Sequence, residues 1–575
     1  MSYLSDASLV MIPSGVEAGT VFTSKPAGGS ADLTFTRSND TATRVGPNGY
    51  IEKVRTNLAL YSQDFSQIGT WVPRNGTYTA NAGTAPDGTN TATKVTATNI
   101  DPYIYQSISF NGVITASCYM KGIGSSIGKN AQVRIGAIPT TIALTSNWQR
   151  VSVTTTISGA TICGVEVPDP AIIGDEALIW GFQVEAGTVA TDYIETTTAA
   201  VSVGPVANVP RINFDPVLPR TGYLLWEPQR TNLALYSEQI DNAVWTKDGT
   251  TATVNQTASP SGYADADLVT NNGLSGDHTI YQAIGLSATT CTVSAYVKKN
   301  TESYVHLTLN LGSNENEWAT ATFNLDTATS ANYANTLSTP SSTITAFGTD
   351  GWYRVTMTCT LANTANHILL IGFAKAGAPD TSRGRYVTEN TNSFYIWGCQ
   401  TEEGAYPASY IPTYGAAATR GNDDADTPFA SPLTTDGSAT IFFHDLGVPD
   451  SDVINATSAS YRYQASTGNY VSLTTNDTAW RVRVQGGGTA NYKGLNDHPK
   501  TSPIKVAVIV SSTHYSIFAN GVKEVDNESL SSTADFSSIQ SFRTNIQEDV
   551  GVRKTVQHLV FPTALTDTQA IELTA

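Results

Sequence analysis

The residues here best suited to chemistry are aromatic. Trp318, Tyr304, Tyr333, Trp480 and Tyr492 lie where the chain does not repeat itself. A flat aromatic face ringed by polar groups stacks on the C–H face of a pyranose. These five residues are therefore candidate glycan-binding positions. The other notable tryptophans come in pairs within similar sequence, Trp148 with Trp352 and Trp180 with Trp397. Pairing in a duplicated chain points to core packing.

No pattern supplies catalytic machinery. The seven histidines are scattered, without HExxH or paired ligand spacing. Gly124-Ser125-Ser126-Ile127-Gly128 fits G-x-S-x-G, but a nucleophile elbow needs a strand, a sharp turn and a helix, and here a glycine-rich loop joins strands. Glu185 and Glu402, with neighbouring Glu403, offer carboxylates for a ligand or Ca²⁺. The cluster Asn422-Asp423-Asp424-Ala425-Asp426 offers either a structural Ca²⁺ site or, on the reading preferred here, a solvated acidic linker. No catalytic residue, metal ligand or cofactor is assigned. A glycosidase needs only two carboxylates, so hydrolysis stays as the lesser alternative.

The frame that must position these groups is a duplication. Arg55 to Ser62 reads RTNLALYS, and Arg230 to Ser237 repeats it letter for letter. Trp71 matches Trp245, Tyr105-Gln106 matches Tyr281-Gln282, and SCYMK from Ser117 matches SAYVK from Ser294. WQRVSVTTT from Trp148 matches WYRVTMTCT from Trp352, IWGFQVEAG from Ile179 matches IWGCQTEEG from Ile396, and Asp192-Tyr-Ile matches Ser409-Tyr-Ile. The offset grows from 175 at Arg55/Arg230 to 217 at Trp180/Trp397, so the second copy carries inserted loops. The polar pairs Arg55/Arg230 and Asn57/Asn232 are read as ties between the incoming linker and the sheet.

Within each copy, apolar residues alternate with Thr and Ser, as in Val151, Val153, Thr155, Ile157 and in Val305, Leu307, Leu309, Leu311. A period of two puts one strand face in a core and the other in water. The composition agrees: 14% charged residues, 46 Gly and 25 Pro are poor material for helices. The expected fold is all-β, with tandem antiparallel jelly-roll or β-sandwich modules in an elongated multi-domain chain. The expected divisions are a lead-in over 1–54, modules over 55–209 and 210–420, and a different β-sandwich over 421–575. In the last block Asn520-Gly521 signals a hairpin, and Thr566 with Gln569 signals a capped C-terminal helix. A short signature opens each block: Arg37-Ser-Asn39-Asp40, Arg211-Ile-Asn213-Phe-Asp215 and Arg420-Gly-Asn422-Asp423. Proline-bearing linkers are read at Val203–Pro219 and Pro412–Asp426.

The net charge of −17 repels nucleic acid, and no Lys/Arg cluster along the sequence reverses it, so no nucleic-acid partner is expected. No signal peptide or membrane-spanning run is present, so no membrane insertion is expected. The five cysteines form no CxxC, and Cys291 and Cys359 read as small core residues, compatible with folding in a reducing cytoplasm.

The order RTNLxLYS…W, Trp-x-Arg-Val, IWGxQxExG and YPASYIPTYGAAATR resembles the jelly-roll modules of bacteriophage head and tail fibre proteins. Those modules are in turn similar to carbohydrate-binding modules of the family 4/9 type. The last block, with FANGVKEV and ALTDTQ, is similar to laminin-G/concanavalin-like sandwiches. The resemblance implies a virion surface fibre, made in the host cytoplasm and attaching through weak polyvalent glycan contacts. It implies a homotrimer, with a dimer next. It also implies docking to other virion proteins through the N-terminal segment, with the terminal sandwich facing host-surface or environmental glycans. A decoration protein without sugar binding is the alternative.

Overall fold

Strand alternation decides the architecture. The structure, a computed structural model, describes residues 3–575 except 14, 219–221, 312–313, 336, 338, 362–366, 375–390, 449–460, 477 and 545–551. Every named pair of strands is antiparallel, and the described residues contain one α-helix, Asp567–Thr574. Among the described residues no helix is long and apolar enough to cross a membrane. The expected all-β fold of tandem sandwiches is what forms.

In the first module the Tyr103–Ile123 and Gln149–Asp169 strands run side by side from the Tyr103/Glu166 pair to the Met120/Gln149 pair. Each bends midway at a glycine with positive φ, Gly112 at 129° and Gly159 at 86°, so one pair of strands serves both layers. In the second module the same path is broken into Thr279–Ile284 with Thr290–Lys299, and Trp352–Thr360 with His367–Phe373. Two six-stranded sheets result, packed on Trp245, Val293, Leu307, Met357 and Ile371. The five cysteines are buried free thiols, with Cys291 opposite Cys359 inside this core.

The repeated octapeptide enters each module in one conformation. Asn57 is fully buried; its amide donates to the carbonyls of Phe182 at 3.1 Å and Ile194 at 2.8 Å, and its oxygen accepts from the amides of Ala59 and Val184. Asn232 makes the same four bonds, with Cys399, Ile411, Ala234 and Thr401. Tyr61 and Tyr236 both adopt positive φ, 48° and 51°, which turns their carbonyls to accept from Trp71 Nε1 and Trp245 Nε1. The two asparagines of the repeat are the structural ties expected of them.

The lead-in is corrected as a separate segment. Leu9–Met11 pairs with Arg553–Phe561 at the far end of the chain, and Leu33–Thr36 pairs with Asp424–Pro428. Leu9, Met11, Leu33 and Phe35 share one core with Trp480, Val482, Val508 and Val560. The linker strand Tyr223–Trp226 joins the same sheet beside Arg553–Phe561. The terminal sandwich is thus assembled from three stretches of chain, and both chain ends lie on it; Tyr3 donates to Glu572 at 2.5 Å. The Asn520-Gly521 hairpin and the Thr566/Gln569 capping box form as expected.

The linkers are structured too, and the acidic-linker reading of 422–426 is corrected. Arg37, Arg211 and Arg420, the first residues of the three signatures, are at most 1% exposed and converge. Arg37 donates to Asp423 at 3.0 Å, and Arg211 also bonds Asp423. Glu227 lies 2.7 Å from Arg211 and 2.9 Å from Arg420. Burial alone would raise the Glu227 pKa, but Arg420 and Arg211 outweigh it and hold it well below the carboxylate range. Asp423, committed to two guanidinium groups, is no calcium ligand.

A second buried pair, Lys53 to Glu238 at 2.6 Å, joins the first module to the second. Burial lowers the Lys53 pKa, and the adjacent Glu238 more than reverses this. The bend at Gly112 comes so close to the second module that an added Cβ would lie 2.1 Å from the Tyr414 carbonyl oxygen.

Candidate functional site

Cross-strand register builds a surface that linear sequence hides. On the Tyr461–Ser466, Asn469–Thr475, Ala479–Gly486 and Thr489–Pro499 strands, Tyr461, Val471, Trp480 and Val482 point into the terminal core. Alternation sends Arg462, Tyr470, Arg481 and Arg483 to the opposite face. There Arg462 lies 4.7 Å from the Tyr470 ring centroid, and Arg483 lies 5.0 Å from Tyr470 and 5.1 Å from Tyr492. Arg481 sits 3.9 Å over Tyr492. Five side chains therefore form one continuous ladder across four strands, Arg462, Tyr470, Arg483, Tyr492 and Arg481.

The ladder is electrostatically uneven. Tyr470 is only 3% exposed between two guanidinium groups, and burial raises its pKa. Tyr492 is 40% exposed. Among the described residues no carboxylate is ion-paired with Arg462, Arg481 or Arg483; the neighbouring Arg543 is held by Asp426. The expectation of no Lys/Arg cluster meets one exception here, three half-buried arginines brought together on one face. Arg481 and Arg483 are separated by one residue in sequence, and Arg462 joins them only when the strands pair. Ser472 and Thr474 between the arginines are buried and Arg483 also donates to Gln485 Oε1, so recognition on this face rests on the planar guanidinium forks, whose geometry suits carboxylates.

Of the five sequence candidates, Tyr492 alone belongs to this ladder. Its ring face carries Arg481, so it braces a guanidinium and is not free to stack on a sugar. Trp480 is fully buried in the core, its Nε1 donating to the Ser502 carbonyl at 2.9 Å, and is withdrawn. Trp318 lies on the strand face away from the core residues Ala319, Ala321 and Phe323 but is only 5% exposed, so little of its ring is open to a ligand. Tyr304 and Tyr333 are half-buried on the outer face of the second module; Asn324 donates to the Tyr304 hydroxyl at 3.0 Å. The signal that finds the ladder is the run Trp480-Arg481-Val482-Arg483-Val484, whose alternation places arginine on the face away from the core.

The other sequence candidates are structural. Ser126 of the G-x-S-x-G match is buried, with its hydroxyl 2.6 Å from the Glu176 carbonyl oxygen. Glu185 accepts from Gln183 and from the Thr191 amide, and Glu402 accepts from Gln400 and the Ala408 amide. Both lie near the end of the strand that carries the repeated IWG. Glu403 accepts from the Ala288 amide at 2.9 Å. Asp101, Glu166 and Asp169 bring carboxylate oxygens within 4.8 Å of one another, with Glu166 already 2.6 Å from Arg134.

No family model and no curated protein matches the chain. Among solved structures, the N-terminal CBM22-1–CBM22-2 tandem domain of Paenibacillus barcinonensis Xyn10C overlaps 60% of this chain and 98% of its own, at 11% identity and a TM-score of 0.21. Domains LG4-5 of the mouse laminin α1 chain overlap 58% and 95%, at 9% identity and a TM-score of 0.16. Trypanosoma rangeli sialidase overlaps 94% and 98%, at 10% identity and a TM-score of 0.20. Overlaps this loose leave the sandwich architecture resting on the strand pairing described above.

Proposed function

We propose that this chain is a non-catalytic glycan-binding protein whose ligand is an acidic, carboxylate-bearing polysaccharide. The observation that carries the reading is the Arg462–Tyr470–Arg483–Tyr492–Arg481 ladder on a chain of net charge −17. Each guanidinium lies within 5.1 Å of a tyrosine ring, and such bracing reduces the side-chain entropy lost on binding. A single shallow site of this kind binds weakly. Repetition of the chain on one particle would convert weak contacts into avidity.

The setting that the sequence resemblance implies, a phage head or tail fibre assembled as a homotrimer, suits such polyvalency and forms part of the proposal. In that setting, attachment through residues 1–54 would use the sandwich that also carries the ladder, since the two are one body. A glycan array containing polyuronates, neutral polysaccharides and deacetylated amino-sugar polymers tests the reading. Binding confined to polyuronates supports it. Silence on every class would leave a purely structural decoration role, and reducing-sugar release would point to hydrolysis.

A further inference from the structure

The two modules solve one position differently. In the second, Glu227 stands three residues before Arg230, and Arg420 pairs in register with Arg230. Glu227 receives Arg211 at 2.7 Å and Arg420 at 2.9 Å, and Arg420 also donates to Ser409 Oγ at 3.0 Å. This socket is closed, with each charged side chain at most 2% exposed. In the first module, Glu52 stands three residues before Arg55 and receives one guanidinium, Arg44, at the same 2.7 Å. Asp192 takes the place of Ser409. Val203, paired with Arg55 as Arg420 is with Arg230, takes the place of the second arginine.

At the position that corresponds to Arg420 there is a cleft of about 460 Å³, lined by the carboxylates Glu52 and Asp192, by Val203 and the rings of Tyr50 and Tyr263, and also by Arg44, Lys53 and Arg55. The Asp192 side chain is 84% exposed and Glu52 31%. Arg55 lies 3.9 Å from Asp192 Oδ2 and donates to the Tyr263 hydroxyl at 3.1 Å, and that hydroxyl donates to the same Oδ2 at 3.1 Å, which leaves Asp192 Oδ1 for a further donor.

We infer that this cleft is a binding socket for a guanidinium group supplied from outside, an arginine side chain of a protein partner. It would seat as Arg420 does in the second module, on Glu52 with Asp192 replacing Ser409, its methylenes against Tyr50 and Tyr263. Asp192 supplies a carboxylate where the second module has the Ser409 hydroxyl, and this added negative charge offsets part of the Arg44, Lys53 and Arg55 charge in the lining. This surface and its ligand are separate from the arginine ladder.

The test uses the full chain and the tripeptide Gly-Arg-Gly, titrated by NMR or calorimetry beside Gly-Gly-Gly and a deacetylated amino-sugar tetramer. Gly-Arg-Gly binds, Gly-Gly-Gly does not, and Glu52→Gln weakens binding about tenfold. Val203→Arg fills the socket from within, keeps the melting temperature and abolishes binding. Absence of Gly-Arg-Gly binding, or unchanged binding in both variants, overturns the inference. Tighter binding of the amino-sugar tetramer overturns the assignment to arginine.

Discussion

Arg37 and Asp423 are joined by a fully buried 3.0 Å ion pair across 386 positions of sequence. With Arg211, Arg420 and Glu227 this pair locks the first strands of the chain, the linker between modules and the entrance to the terminal sandwich at one point. The joints between modules are therefore tied by buried charge.

Asp423→Ala leaves Arg37 and Arg211 buried without this partner. Removal of one member of a buried ion cluster costs about 3–5 kcal/mol. The expected outcome in differential scanning calorimetry is a melting temperature lower by several degrees, with the single transition of the parent resolved into separate module transitions. A parent-like transition in this variant would mean that the cluster does not couple the modules.

Asn57→Ala and Asn232→Ala are expected to behave as twins. Each strands two buried carbonyls and two buried amides, at a cost of about 2–4 kcal/mol. Urea unfolding followed by fluorescence of Trp71 in one variant and Trp245 in the other should report matching losses.

Stability should depend on pH in a defined direction. Burial raises the Asp267 pKa to about 7 and that of Asp265 to about 6. A carboxyl whose folded pKa is raised is stabilising when protonated, so its contribution falls as pH rises from about 4 toward these values. The opposite case, Glu227, contributes above its unfolded pKa and is lost only on strong acidification. The melting temperature should thus rise from pH 7.5 to about 5 and fall below about 4. Asp267→Asn should flatten the upper limb.

Much of the fold was legible because it is locally written. Alternation at Val151–Ile157 and Val305–Leu311 marks strands, the repeated octapeptide marks two modules, and Asn520-Gly521 marks a hairpin. What escaped reading depends on residues distant in sequence. Nothing near Leu9 announces that it pairs with Val560, so the lead-in reads as a separate segment. Three signatures beginning with arginine were visible as repeats, but their convergence on Asp423 requires the folded chain. The same holds for the site. Trp480 stands out in the sequence because it lacks a repeat partner, whereas Arg481 and Arg483 beside it face away from the core and meet Arg462 only through strand pairing.

The measurement that tests the account most directly is binding of polygalacturonate, and of its methyl-esterified form, to the parent chain and to the Arg481→Ala/Arg483→Ala double variant. The account predicts parent binding that weakens with salt, loss on esterification, and at least about a tenfold weaker affinity in the variant at unchanged melting temperature. Equal binding of both polymers, or full binding by the double variant, would contradict it.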